Sequence, residues 1–162
     1  MAVRARLLLS AVGAVLLVVC GGPAVAQDTG AKTVDAAWMK AMKANDLDGV
    51  VACYAPDAVL WLPDAPESRG AQAIRSAYEA LFKANTVKDV TMTDGHFKTS
   101  GDLSFGSGRF TLTLVPKAGG APIVMKGRFS EAAERRGGKW VYVVDHASLD
   151  PQPSAPAKPP VP

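Results

Sequence analysis

Cysteine and histidine are scarce, with two of each in 162 residues, and the scarcity removes whole function classes. Cys20 falls in the N-terminal apolar run, so a processed chain keeps only Cys53, and one cysteine cannot form an intramolecular disulfide. Cys53 sits amid Val50, Val51 and Tyr54, a setting for an inert buried thiol rather than a nucleophile. Neither His96 nor His146 has a cysteine or carboxylate cluster at ligand spacing, so no metal site is expected. There is no glycine-rich phosphate loop, no serine in a nucleophile elbow and no internal period of roughly 20 to 50 residues. No cofactor is therefore expected. The 18 basic and 15 acidic residues are dispersed. The densest basic run, Arg135-Arg136-Gly137-Gly138-Lys139, reads as a hairpin turn, which argues against nucleic acid as a partner.

What is present begins with an apolar run from Leu7 to Val19 behind Arg4 and Arg6, followed by Ala24-Val25-Ala26. This pattern reads as a secretory signal peptide over 1–26, too short to span a bilayer. It implies a secreted or periplasmic protein with no membrane partner after cleavage. Leu17-Val18-Val19 lacks the small residue usual before a lipidated cysteine, which argues against lipidation of Cys20. Losing Arg4 and Arg6 lowers the formal charge from +3 to 3 − 2 = +1. One domain is expected over 27–149. Six of the 12 prolines lie in the last 12 residues, so 150–162 reads as a disordered tail.

Val34, Trp38, Met39 and Met42 recur at helical spacing and predict a first helix ending near Asn45. Asp46 is placed to cap a short second helix through Tyr54, stopped by Pro56, with a turn at 55–58 and a short strand over 59–62. A polar loop follows over 64–70. Ile74, Tyr78, Leu81 and Phe82 predict a third helix over 71–84. Strands are expected at 87–99, 103–115, 121–131 and 139–148, divided by glycine turns. Helices first and a meander after them indicate an α+β domain, three helices packed on one face of a curved antiparallel sheet.

Alternation assigns Phe110, Leu112 and Leu114 to one face and Arg109, Thr111 and Thr113 to the other. Ile123, Met125 and Phe129 likewise oppose Lys126, Arg128 and Ser130. The last strand is apolar on both sides, Trp140, Tyr142 and Val144 against Val141 and Val143. This predicts a second cover by another copy of the chain, with Trp140 and Tyr142 as anchors. Asp145 shares the face of Val143, as the one ionisable inner group on the last three strands. His146 turns outward.

Asp46-Leu47-Asp48-Gly49-Val50-Val51, Tyr54-Ala55-Pro56-Asp57-Ala58-Val59, Arg69-Gly70, Ala73-Ile74-Arg75 and Gly138-Lys139-Trp140-Val141, in this order of elements, resemble the NTF2-like superfamily. The likeness runs over about residues 31–149 and is closest to the SnoaL-like and DUF4440 branch. It implies a cone-shaped α+β barrel enclosing a pocket, often dimeric through the sheet, in a family that includes isomerases, cyclases and dehydratases. Matched to ketosteroid isomerisation, the tyrosine donor position falls on Trp38, the base on Leu62 and the second acid on Met125. None of these does that acid or base work. Tyr78 alone matches an isomerase pocket residue.

The resemblance and the strand faces together imply a pocket formed by Trp38, Leu62, Tyr78, Phe110, Met125, Val143 and Asp145. The expected function is binding of a small, mostly hydrophobic molecule by a homodimer, with no isomerase set. Asp145 acting as a general acid or base in a cyclase, dehydratase or isomerase type of enzyme is the alternative. A non-catalytic assembly module with the pocket packed shut is the second. Intact-mass measurement of the exported protein should show a chain beginning at Gln27; retention of 1–26 would overturn the signal reading.

Overall fold

The computed structural model describes residues 30–151. The segment read as a signal peptide and residues 152–162 of the tail lie outside the described residues. Helix α1 spans Ala31–Ala44, α2 Leu47–Val51 and α3 Gly70–Ala84. The strands are β1 (Tyr54–Trp61), β2 (Ser68–Arg69), β3 (Asn85–Ser100), β4 (Leu103–Pro116), β5 (Ile123–Arg136) and β6 (Lys139–Leu149). They form one curved, unclosed six-stranded sheet in the order β2-β1-β6-β5-β4-β3. Its last four strands are an antiparallel meander, and β1 joins the edge of β6 in parallel.

Helix α1 buries Val34, Ala41 and Met42 and packs across β3 to β6, while α3 covers β1 and β3. Asn45 ends α1 in the left-handed region, at φ 54°. Its amide accepts from the Val87 N–H at 2.7 Å and donates to the Val87 carbonyl at 3.0 Å, tying the helix end to β3. Asp46 caps α2 through the Gly49 N–H at 3.0 Å, the bond its position predicts.

Residues 55–58 are not a turn, and Pro56 does not stop a helix. Helix α2 ends at Val51 and the chain is already extended at Tyr54. The β1–β6 ladder is irregular between Tyr54 and Val59, so the missing proline N–H breaks no regular bond there, and Pro56 and Asp57 face outward. The expected loop at 64–70 likewise contains the two-residue strand β2, paired with β1.

The two Gly-Arg-Phe triplets pair with each other across β4 and β5: Gly108 opposes Phe129, Arg109 opposes Arg128 and Phe110 opposes Gly127. Each glycine makes room for the opposite ring. A β-carbon on Gly108 would lie 2.8 Å from Phe129, and one on Gly127 would lie 2.7 Å from Phe110 and 2.1 Å from the Ser148 carbonyl oxygen. The facing arginines are like charges across a ladder, and Asp150 offsets them as an ion-pair partner at 2.6 Å from Arg109 and 3.7 Å from Arg128. Asp150, where the tail was read to begin, also donates its N–H to the Lys126 carbonyl at 2.9 Å.

Ala at position 127 meets backbone, which cannot swing aside as a side chain can. Gly127→Ala should therefore destabilise the fold by roughly 1–3 kcal/mol, the usual range for overpacking, in chemical denaturation. An unchanged midpoint would show that β6 yields at Ser148.

Candidate functional site

Strand β6 pairs Val144 with Ala132 but Tyr142 with Ala133, so Val143 is an extra residue on this strand. A bulge of this kind shifts the alternation by one. Tyr142, Asp145 and Ala147 therefore face the helices together, and Val144, His146 and Ser148 face out. Two expectations change. Val143 packs against the core but does not line the cavity, and Tyr142 is not an outward anchor: it is 1% exposed in the core. Trp140 is half-buried, with the Arg135 guanidinium over its ring.

Between α1, α3 and the sheet lies a cavity of about 280 Å³. Trp38, Leu62, Tyr78, Phe110, Met125 and Asp145 all line it. Met42, Leu81, Met92 and Phe129 extend the apolar wall. Leu62, Pro63 and Ala65 lie at the mouth, which they share with an outer groove containing Trp61 and His146. Trp61 donates to Glu67 at 3.1 Å and meets the His146 ring edge-on at 6.3 Å. Cys53 is buried and does not line the cavity, with its thiol pushed up to about 11 by burial.

Asp145 ends a chain of hydrogen bonds. The Tyr54 hydroxyl donates to Asp145 Oδ2 at 2.6 Å, the Tyr54 and Tyr78 hydroxyls are 2.7 Å apart, and Trp38 Nε1 donates to the Tyr78 oxygen at 3.0 Å. A phenol has one proton. Since that of Tyr54 goes to Asp145, Tyr78 must donate to Tyr54. Burial holds both phenols well above their ordinary range, so the chain is neutral and aimed at the carboxylate. Burial also raises Asp145 to about 6, against the pull of the Tyr54 bond and with a further push from the charge of Asp35. Asp145 is accordingly ionised at neutral pH and takes a proton in mildly acid solution.

A second carboxyl group also lines the cavity, so Asp145 is not the only ionisable inner group. Glu131 pairs with Asp145 across the β5–β6 ladder and is 5% exposed; Asp35, on α1, is 3% exposed. The Tyr142 hydroxyl donates to Asp35 Oδ1 at 2.6 Å, and Glu131 bonds the same carboxylate. Two carboxylates cannot bond without a proton between them. Burial raises both groups, and the neighbouring negative charges of Asp35 and Asp145 push Glu131 further, whereas the bonds from Glu131 and Tyr142 pull Asp35 back down. The proton thus resides on Glu131 and the charge on Asp35.

Both residues had a sequence signal. Asp35 precedes Trp38 and Met39 by three and four positions, on the apolar face of α1. Glu131 continues the odd-numbered inner series of Met125 and Phe129. Tyr54 was hidden by its assignment to a helix end.

The SnoaL-like domain family matches residues 36–143. No curated protein matches the chain. Among solved structures, a ketosteroid isomerase-like protein from Erwinia carotovora atroseptica superimposes with a TM-score of 0.65 at 20% identity, over 74% of this chain and 93% of its own. An NTF-2 like protein of unknown function from Shewanella oneidensis gives 0.58 at 20% identity, over 72% and 93%. A structure from Novosphingobium aromaticivorans, provisionally named a scytalone dehydratase, gives 0.68 at 7% identity, over 78% and 85%. At these identities the likeness is one of fold.

The raised Asp145 carboxyl carries a stability signature. Its ionisation favours the unfolded chain, so the native state loses stability as pH rises from the unfolded value of 3.8 through about 6. A shift of this size corresponds to about 3 kcal/mol at most. The stability of Asp145→Asn relative to the native protein should thus rise between pH 4 and pH 7. A difference independent of pH, measured by denaturation across this window, would show that Asp145 titrates normally.

Proposed function

The chain belongs to the SnoaL-like domain family, and from that premise we propose that its cavity binds a small, mostly hydrophobic molecule through one polar group set against Asp145, which exchanges a proton with it. The observation that carries this reading is a single partly open carboxylate, fixed by Tyr54, in a cavity whose wall is otherwise largely apolar. Tyr54 occupies Oδ2, which leaves Oδ1 for the ligand. An acid that titrates near 6 can serve as base at neutral pH and return the proton with little penalty. The names of the dehydratase and isomerase-like relatives fit proton transfer of this kind. The Trp38, Leu62 and Met125 substitutions leave the isomerase constellation itself without support.

The open cavity of about 280 Å³ favours this reading over an assembly module packed shut. Export and self-association belong to the same proposal. Phe105 and Val124, 54% and 56% exposed, supply apolar contact points on the outer sheet face in place of Tyr142.

The test uses 2-naphthol, an apolar bicycle with one hydroxyl. It should bind saturably and more tightly above pH 6 than below, because the charged carboxylate is a stronger acceptor for its hydroxyl than the protonated acid is. Asp145→Asn should weaken binding by roughly 1–3 kcal/mol, and His146→Ala should leave it unchanged. Titration calorimetry decides: absence of saturable binding, or indifference to Asp145→Asn, would overturn the reading.

A further inference from the structure

The hydrogen-bond chain behind Asp145 cannot carry a proton away. It ends at the Trp38 indole N–H, which donates and has no lone pair to accept. Tyr54 and Tyr78, held far above neutrality by burial, do not ionise to pass one on. A molecule filling the mouth would cut off water on that side as well.

A different polar path leads outward. Glu131 lines the cavity opposite Asp145. Asp35 lines a separate recess of about 340 Å³, together with Lys32, Asp94 and Phe97. The two carboxyls stand side by side and, with Met92 and Phe129, separate the two spaces. Among the described residues, Asp35 Oδ2 and Glu131 Oε1 are the buried side-chain atoms without a hydrogen-bond partner. A carboxylic acid can donate on one oxygen and accept on the other, which suits a group left in this state.

We propose that Glu131 and Asp35 form a proton port, connecting the cavity to water in the outer recess so that Asp145 and a bound molecule can exchange a proton while the mouth is occupied. The inference rests on the reading of Asp145 as the proton-exchanging group. A carboxylic acid accepts a proton on one oxygen and releases it from the other. A proton passed from Asp145 to one oxygen of Glu131 is matched by transfer of the proton on its other oxygen to Asp35, and Asp35 then gives its proton to water. Only O–H bonds form and break, and the pair returns to its starting charge. The charged and titratable groups facing the pair are Tyr142 and Asp145 from β6, Lys32 from α1 and Asp94 from β3.

The test closes the mouth covalently, so its outcome does not depend on any ligand. Ala65 is exposed at the mouth, and an Ala65→Cys thiol can be capped with a bulky maleimide while the buried Cys53 stays unreactive. Protonation of Asp145 after a pH drop is followed by its infrared carbonyl band, identified by its loss in Asp145→Asn. The capped protein should protonate almost as fast as the uncapped one. Adding Asp35→Asn, which keeps an acceptor for Tyr142, should slow the capped protein by an order of magnitude or more and leave the uncapped protein fast. Glu131→Gln provides the same comparison if the first variant fails to fold. Equal rates in the capped proteins with and without these changes would overturn the port, as would a cap that by itself abolishes protonation. Naphthol binding by the uncapped protein reports separately on the ligand reading.

Discussion

Strand alternation would put Tyr142 and Asp145 on opposite faces of β6, and the extra residue at Val143 puts them on one. The polar groups of the cavity depend on that displacement. With Tyr142 inward, Asp35 on α1 gains a hydroxyl donor that a buried carboxylate requires. With Asp145 inward, Tyr54 on the parallel neighbour β1 finds an acceptor, and the chain through Tyr78 to Trp38 binds α3 and α1 to the sheet. Removing the bulge would turn Asp145 and its charge to the outer face and leave the buried Tyr54 hydroxyl without its acceptor.

Three carboxyl groups share this low-dielectric interior, and their separate behaviours come from donors rather than from burial alone. Asp35 collects donors from Tyr142 and Glu131 and keeps its charge. Glu131 has no donor and so keeps a proton. Asp145 has one donor and some exposure and lies between these extremes, where a proton is easily taken and easily given. Full ionisation of all three would place three negative charges in one compartment with few donors to hold them.

The fold was legible in the sequence wherever periodicity is local. Helical spacing gave α1 and α3, Asp46 gave its cap, and the glycine pairs divided the meander. Tertiary context overrode the local signal at Pro56, where a proline and an aspartate read as a turn yet sit in an irregular stretch of strand. The pocket wall was largely readable because strand parity and helix spacing point to the same interior from two sides. Asp145 and Tyr78 were placed inside, but the inward turn of Tyr142 was not legible, since one bulged residue reverses parity for half a strand and no composition rule marks where it falls. Asp35 and Glu131 were each on an apolar face by spacing, but a lone acid there gains meaning only once its partner is known to lie across the core.

The opposed Gly-Arg-Phe triplets fix more than the fit of two rings. If β5 slid two residues along β4 in one direction, Phe110 would face Phe129 and the rings would collide; in the other, Gly108 would face Gly127 and leave a gap. The correct alignment is the one in which each ring lies over a bare backbone, so the triplets act as a key for strand alignment. Phe110, Met125, Phe129 and Glu131 all stand on these two strands and reach the cavity. The width of the cavity and the place of its proton-bearing acid are thus inherited from two glycines that never touch its contents.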